Sequence, residues 1–271
     1  MNEHYLSPAL AKSKNTFLND ESSDVGDLIH NKIWKAIFER RIRPGTKLPE
    51  DQLGQSFSVS RTVVRRVMII MEQEGVVSLP PGRGAFIASP TEAETHEIFE
   101  ILRLTTCHLV RKLASRKHFP AAQAKLLKTH HDILSKLSAS EIDIHNRLIA
   151  EFFILLAHLH GNFALAVFHE NTVGRATLAL MLYQKMTAVW PPRDHLGPII
   201  DLIISGKADQ AVAATEQFMS EIEDSLHFTD LGDQVDISAI LLAGNREEDV
   251  SARKKPKRIK RRGTRAGVAW D

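Results

Sequence analysis

The chain has 271 residues, 43% of them hydrophobic, a formal net charge of +2 and a single cysteine, Cys107. That length and apolar content support two domains with ordinary cores, and one cysteine excludes an internal disulfide and suits a reducing compartment. No apolar run reaches the roughly 18 residues of a membrane span, and neither a repeat nor a signal peptide is found, so a soluble cytoplasmic protein is expected.

Residues 1–24 are polar and lack a periodic apolar face, which predicts a flexible arm. Leu28, Ile29, Ile33, Trp34, Ile37 and Phe38 then recur at helical spacing up to the Pro44-Gly45 break, and Leu48, Leu53 and Phe57 mark a second, short helix. A third helix is expected from Ser60 to Gln73. At about 100° per residue, Arg61, Thr62, Arg65 and Arg66 share one face, while Val63, Val64, Val67 and Met71 take the other. Ser60 suits the N-cap, and Gly75 can end the helix in a left-handed conformation. Val76-Val77 and Ala85-Phe86-Ile87, on either side of "SLPPGRG", predict a hairpin with Arg83 at its tip. Two helices with a tight connection, the second presenting cations, followed by a hairpin, describe a winged helix-turn-helix over 25–90.

From Thr91 onward no period-2 segment is found, and Thr91 with Glu94 forms a capping-box pattern. Helices are expected from there and at about 120–138, 141–160, 163–188, 192–205 and 207–228, separated by Pro120, Gly161-Asn162, Pro191-Pro192 and Gly206. The fold class is therefore mainly α, a winged helix-turn-helix followed by an all-α bundle over 91–230. Residues 231–271 read as a disordered basic tail, with nine cations and no acid in 253–265. Residues 25–90 hold 10 basic and 6 acidic side chains, whereas 91–230 hold 13 and 17. A basic front and an acidic body place polyanion contact at the front, and the tail is either a phosphate-attracting segment or a solubilising extension.

The stretch "LIHNKIWKAIFERRIRPGTKLPEDQLGQSFSVSRTVVRRVMIIMEQEGVVSLPPGRGAFI" resembles the winged helix-turn-helix of the GntR family of bacterial transcription regulators. Pro44-Gly45 with Leu48, Val59-Ser60-Arg61-Thr62, Val64-Arg65, Glu74-Gly75 and Arg83-Gly84 carry the similarity. The family's usual Pro is Val63 here, and its usual Glu is Arg66, which adds a cation on the DNA side. The resemblance implies a nucleoid-associated regulator that binds double-stranded DNA. The chemistry agrees: a guanidinium fork matches the O6 and N7 edge of guanine, which assigns base readout to Arg61 and Arg65, with Thr62 on a base or phosphate. Ser60 and the first N–H groups of the helix would hold a phosphate, and Gly84 would let the wing approach while Arg83 reaches in. One such helix discriminates too few bases for a genome, so a homodimer on a palindromic operator is expected.

The bundle is similar to the C-terminal domain of the FadR subfamily, an effector-binding and dimerising unit, through "RLIAEFFILLAHLHGN", "RDHLGPIIDLIISGKADQAV" and "FMSEIEDSL". Many members hold a divalent metal with one Asp and three His. Counted back from Gly161-Asn162, the Asp and first His positions carry Ile149 and Phe153; the second His is present as His195 in "RDH" and the third falls on Phe218, just before Met219, so one imidazole remains and no metal or other cofactor is expected. Arg103, Arg175 and His195 are the candidates for pairing a small organic-acid effector inside the bundle, and His195 has the alternative of a capping or core-edge residue. No phosphate loop, nucleophile elbow or carboxylate pair argues for an enzyme. Two readings stay open: a ligand-responsive regulator, and a constitutive dimeric DNA-binding protein that has ceased to sense an effector.

Overall fold

The computed structural model describes residues 6–7, 10, 25–138, 141–184 and 194–228. The basic tail from 231 and most of the expected N-terminal arm lie outside them.

Helix α1 (Val25–Phe38) buries Ile29, Ile33, Trp34 and Ile37 along one stripe. A two-residue strand β1 (Lys47–Leu48) leads into α2 (Glu50–Phe57), which ends at Ser58 in the left-handed region, and α3 (Arg61–Gln73) follows. Strands β2 (Val77–Ser78) and β3 (Ala85–Ile87) form the expected hairpin. The sheet has a third member, because β1 pairs antiparallel with β3 on its other side to give the order β1-β3-β2. The wing is thus anchored to the start of the helix-turn-helix, and the Leu79 N–H donating to Glu72 Oε1 at 3.0 Å ties its base to α3.

The remaining helices are α4 (Glu92–Ala114), α5 (Ala121–Leu134), α6 (Ile142–His160), α7 (Phe163–Tyr183), α8 (Leu196–Ile204) and α9 (Ala208–Asp224). Thr91 and Glu94 form the expected capping box at the start of α4. Gly161 ends α6 with φ 87°, and Asn162 caps α7 by accepting from Leu165 N. Helix α7 is apolar nearly all round and correspondingly central: it packs on α4 and α6 and reaches across to α1. Helix α9 closes the far side against α4.

The reading of residues 1–24 as a flexible arm needs correction for residues 6, 7 and 10. The N–H groups of Leu6 and Ser7 donate to the two oxygens of Glu151 at 2.9 and 2.7 Å, and Ser7 Oγ lies 2.7 Å from His130 Nδ1. Ser7 and Leu10 are fully buried. Arg147 donates from Nε to Glu151 at 2.8 Å and from NH1 to Glu39, just past the end of α1. This charged chain joins three distant parts of the molecule. Burial nonetheless holds the Glu151 carboxyl above its usual range, because the Arg147 charge and the two backbone N–H groups offset only part of the desolvation cost.

Candidate nucleic-acid interface

Helix α3 faces inward with Val64, Val67, Met68 and Met71 and outward with Arg61, Thr62, Arg65 and Arg66. Val63, expected on the buried side, is only half-buried; Met68 takes that place. Ser60 caps the helix as expected, its hydroxyl accepting from Val63 N at 3.4 Å. Gly75 follows the helix at φ 78°, and Gly84 in the wing has φ 88°. Arg83 is exposed in the hairpin turn, its guanidinium 5.8 Å from the centre of the Phe86 ring.

A residue absent from the sequence reading organises this surface. Glu50, at the start of α2, accepts from Arg61 Nε at 2.9 Å with one oxygen and from Arg65 NH1 at 2.7 Å with the other. Its side chain is 7% exposed, while those of Arg61 and Arg65 remain 68% and 45% exposed. Burial works against the ionised carboxyl of Glu50, but the bonds from Arg65 and Arg61 outweigh it and hold the group below its usual range. One anchored acid therefore fixes the stems of two arginines, and Arg61 NH1 also lies 3.7 Å from the exposed Asp51. Arg66 and Thr62 are exposed beside them. No local pattern signals the Glu50 contacts, which span 11 and 15 positions of the chain.

The other end of α3 meets the bundle. Glu74, the C-cap residue, lies 2.9 Å from His30 Nε2 and accepts from Trp34 Nε1 at 2.9 Å. The Trp34 ring lies against Gly174 of α7, and the side chain of Arg175 covers Gly75. The arginine-bearing end of α3 is thus exposed, and its opposite end is seated on the central helix.

Inside the bundle, three of the four positions carried over from the metal-binding pattern do meet. Phe153 stacks on Phe218 with centroids 6.1 Å apart, and Phe218 stacks on His195 at 5.0 Å. Ile149 is buried one turn before Phe153. His195 Nε2 lies 3.2 Å from the Glu221 carboxylate without forming a hydrogen bond. Two phenyl rings supply no lone pairs for a metal.

The three effector candidates are not brought together. Arg103 spans from α4 to α9, donating to Ser220 Oγ at 2.9 Å and Glu223 Oε1 at 2.7 Å, so its charge is already paired. His195 faces Glu221. Arg175, expected inside the bundle, instead lines a cleft between bundle and wing. No helix among the described residues is long and apolar enough to cross a membrane.

Comparison with known proteins agrees with this geometry. Residues 23–87 match the model of the bacterial regulatory proteins, gntR family. The chain is 28% identical over 132 residues to the HTH-type transcriptional regulator YdhC of Bacillus subtilis (strain 168), covering 48% of this chain and 59% of YdhC, less than two thirds of that protein. It is 25% identical over 211 residues to the HTH-type transcriptional repressor RspR of Escherichia coli (strain K12), covering 74% of this chain and 89% of RspR. In solved structures, the fold is similar to a GntR transcriptional regulator from Rhodococcus sp. RHA1, with a TM-score of 0.61 at 18% identity, covering 73% of this chain and 95% of that one. It is also similar to E. coli McbR/YncC, with a TM-score of 0.62 at 13% identity over 73% and 94% of the two chains.

Proposed function

We infer, on the premise that this chain is a GntR-type DNA-binding transcription regulator carrying its family's domain at residues 23–87, that it reads a palindromic operator on the bacterial chromosome as a homodimer. In each copy α3 enters the major groove. Arg61 and Arg65 bond guanine edges, Thr62 and Arg66 reach a base or the backbone, Ser60 and the first N–H groups hold a phosphate, and Arg83 follows Gly84 into the minor groove.

The observation that carries this reading is the Glu50 clamp. A buried acid holding two exposed arginines in one geometry is wasteful on a solvated face, because surface ion pairs contribute about 0–1 kcal/mol. It makes sense where a rigid pair of forks must meet a partner of fixed spacing, since ordering each long side chain on binding costs about 0.5–1.5 kcal/mol. The net basic charge of 25–90 supplies the attraction and the acidic bundle adds none.

The bundle serves as the dimerisation and effector unit, with a small organic acid shifting operator affinity through its different affinity for two arrangements of the reading heads. One observation favours a second reading. Phe153, Phe218 and His195, at positions the resemblance assigns to metal ligands, stack as rings, which suits a constitutive DNA-binding dimer.

Selection of bound duplexes from a random pool tests the main reading. The intact protein should enrich a palindrome, and Arg61→Ala or Arg65→Ala should each lose preference at one position per half-site while retaining salt-dependent binding. Unchanged preference in both variants would refute the assignment.

A further inference from the structure

Arg175 stands at the one place where the wing, the end of α3 and the central helix of the bundle converge. The cleft there has a volume of about 360 Å³ and a floor of Phe86, Ile87 and Ile98. Arg175 is half-buried in its wall, its methylene groups lying against Gly75 so closely that a Cβ on that glycine would come within 2.8 Å of Arg175 Cδ. Its guanidinium makes no hydrogen bond or ion pair of ordinary length with the described residues.

The acid lining the same cleft is already engaged. Glu94 accepts from the N–H and hydroxyl of Thr91 in the capping box at the start of α4. Those two bonds, with the charge of Arg175 as a smaller contribution, keep its carboxyl below the usual range. On the wing side, Lys47 and Arg83 each lie over the Phe86 ring, 6.0 and 5.8 Å from its centre. Two cations, Arg83 and Arg175, therefore line the cleft, with Lys47 close to its Phe86 ring, opposed by one carboxylate committed to a helix cap.

An inorganic anion would satisfy the charge and leave the floor wet. A carboxylate with an apolar body satisfies both: the guanidinium fork takes the two oxygens in parallel bonds, and the body covers the partly exposed Phe86. We propose that this junction cleft binds a small organic monocarboxylate with an apolar body, gripped by Arg175, and that its occupancy sets how the wing sits on the bundle. This rests on the regulator reading above and names the place and chemistry of its effector. The coupling is direct, because the side chain that takes the ligand also covers Gly75, the residue that ends the reading helix. It requires neither a metal nor a cavity inside the bundle.

Benzoate and hexanoate titrated into the full chain without DNA, by calorimetry, test the site apart from any operator. One benzoate should bind per chain, and neutral benzamide should bind at least about tenfold more weakly, as expected for loss of a charge-assisted pair. Arg175→Gln should lose at least about tenfold in benzoate affinity, while Arg103→Gln, whose charge is spent on α9, should bind as the parent does. Saturating benzoate should shift the affinity for a selected operator in the parent and not in Arg175→Gln.

Absence of saturable binding by both acids up to about 10 mM would overturn the proposal, as would equal binding of benzamide. Loss of binding in Arg103→Gln but not in Arg175→Gln would move the effector elsewhere and overturn the cleft while leaving the regulator reading intact. An acid-free loss of operator affinity in Arg175→Gln, with a shallower salt dependence, would make Arg175 a DNA-phosphate contact and overturn the proposal as well. Failure of the regulator reading has a different signature, since no duplex would then be enriched from the pool.

Discussion

Gly174 of α7 and Trp34 of α1 are packed so that a methyl group on the glycine would overlap the outer carbons of the indole ring. The ring has no room to retreat, being 4% exposed, stacked on Phe38 at 5.2 Å and bonded through Nε1 to Glu74. The bundle and the reading head therefore touch through a contact that only glycine permits. Gly174→Ala should destabilise the protein by about 1–3 kcal/mol, the usual cost of overpacking, even though alanine is the better helix former. Pairing it with Trp34→Leu should recover part of that loss in thermal melts. A single variant as stable as the parent would show that the contact yields.

Removing the clamp should separate affinity from selectivity. Glu50→Ala leaves Arg61 and Arg65 on the surface without their shared anchor, Arg61 keeping only the longer 3.7 Å approach to Asp51, and it removes a negative charge from the DNA side. Binding to a selected operator should weaken by about 1–3 kcal/mol, the ordering cost of two long side chains, while binding to random duplex stays equal or tightens. Anisotropy titrations with both duplexes at fixed salt read the ratio. An unchanged ratio would mean the clamp has no part in readout.

The His30–Glu74 pair makes the seat of α3 sensitive to pH. Burial of His30 acts to lower its pKa, but the bonds and charge of Glu74, with lesser help from Asn31 and Asp27, outweigh it and raise the value above 6.5. A raised value in the folded state means a contribution that is complete below pH 6.5 and lost as pH rises through the folded pKa. Thermal stability should therefore contain a component that declines as pH rises above 6.5 and is missing from His30→Gln. Trp34 donates to the same carboxylate, so Trp34 fluorescence in a variant lacking the other two tryptophans should follow that transition.

Two other histidines set the acid limit in the opposite sense. His130 and His169 are buried, and burial lowers both to about 4 from 6.5. Each is neutral in the fold: His130 lies 2.9 Å from the Leu148 carbonyl and His169 Nδ1 2.9 Å from Thr105 Oγ1. Their contribution is complete above pH 6.5 and lost as pH falls toward 4, on the order of 3 kcal/mol each if fully expressed. Melts between pH 7 and pH 4.5 should show a steep fall, and His169→Gln should flatten it.

Rebuilding the missing ligands tests the metal assignment. Ile149→Asp, Phe153→His and Phe218→His, combined with native His195, restore one carboxylate and three imidazoles where two phenyl rings now stack. Zinc at about one hundred times its dissociation constant should stabilise this variant by about 2.7 kcal/mol and leave the parent unmoved. Zinc stabilisation of the parent would contradict the expectation of no metal.

The parts of the fold legible in the sequence were those written in local chemistry. Ser60, Gly75, the Pro80-Pro81-Gly82 turn and the Thr91–Glu94 box each announce an element boundary by a mechanism that acts within a few residues, and the structure places boundaries there. Of the positions carried over by resemblance, Phe153 and Phe218 lie together, with ring centroids 6.1 Å apart. Contacts across long intervals were not legible. Strand β1 is two residues long and has no period to detect, the partners of Glu50 lie more than ten positions away, and Arg175 looks like any polar residue of an apolar helix until α7 is seen to run up to the wing.

The seat of residues 6, 7 and 10 has a consequence for how the molecule is made. Glu151, which receives the Leu6 amide across 145 positions of chain, leaves the ribosome long after the segment it secures. The early residues must wait untethered while the reading head takes shape behind them, and the buried place of Leu10 is built around a latecomer. Fastening that end is therefore a closing event in assembly, and a bulky fusion just ahead of residue 6 would hinder completion of the fold more than one added after residue 228.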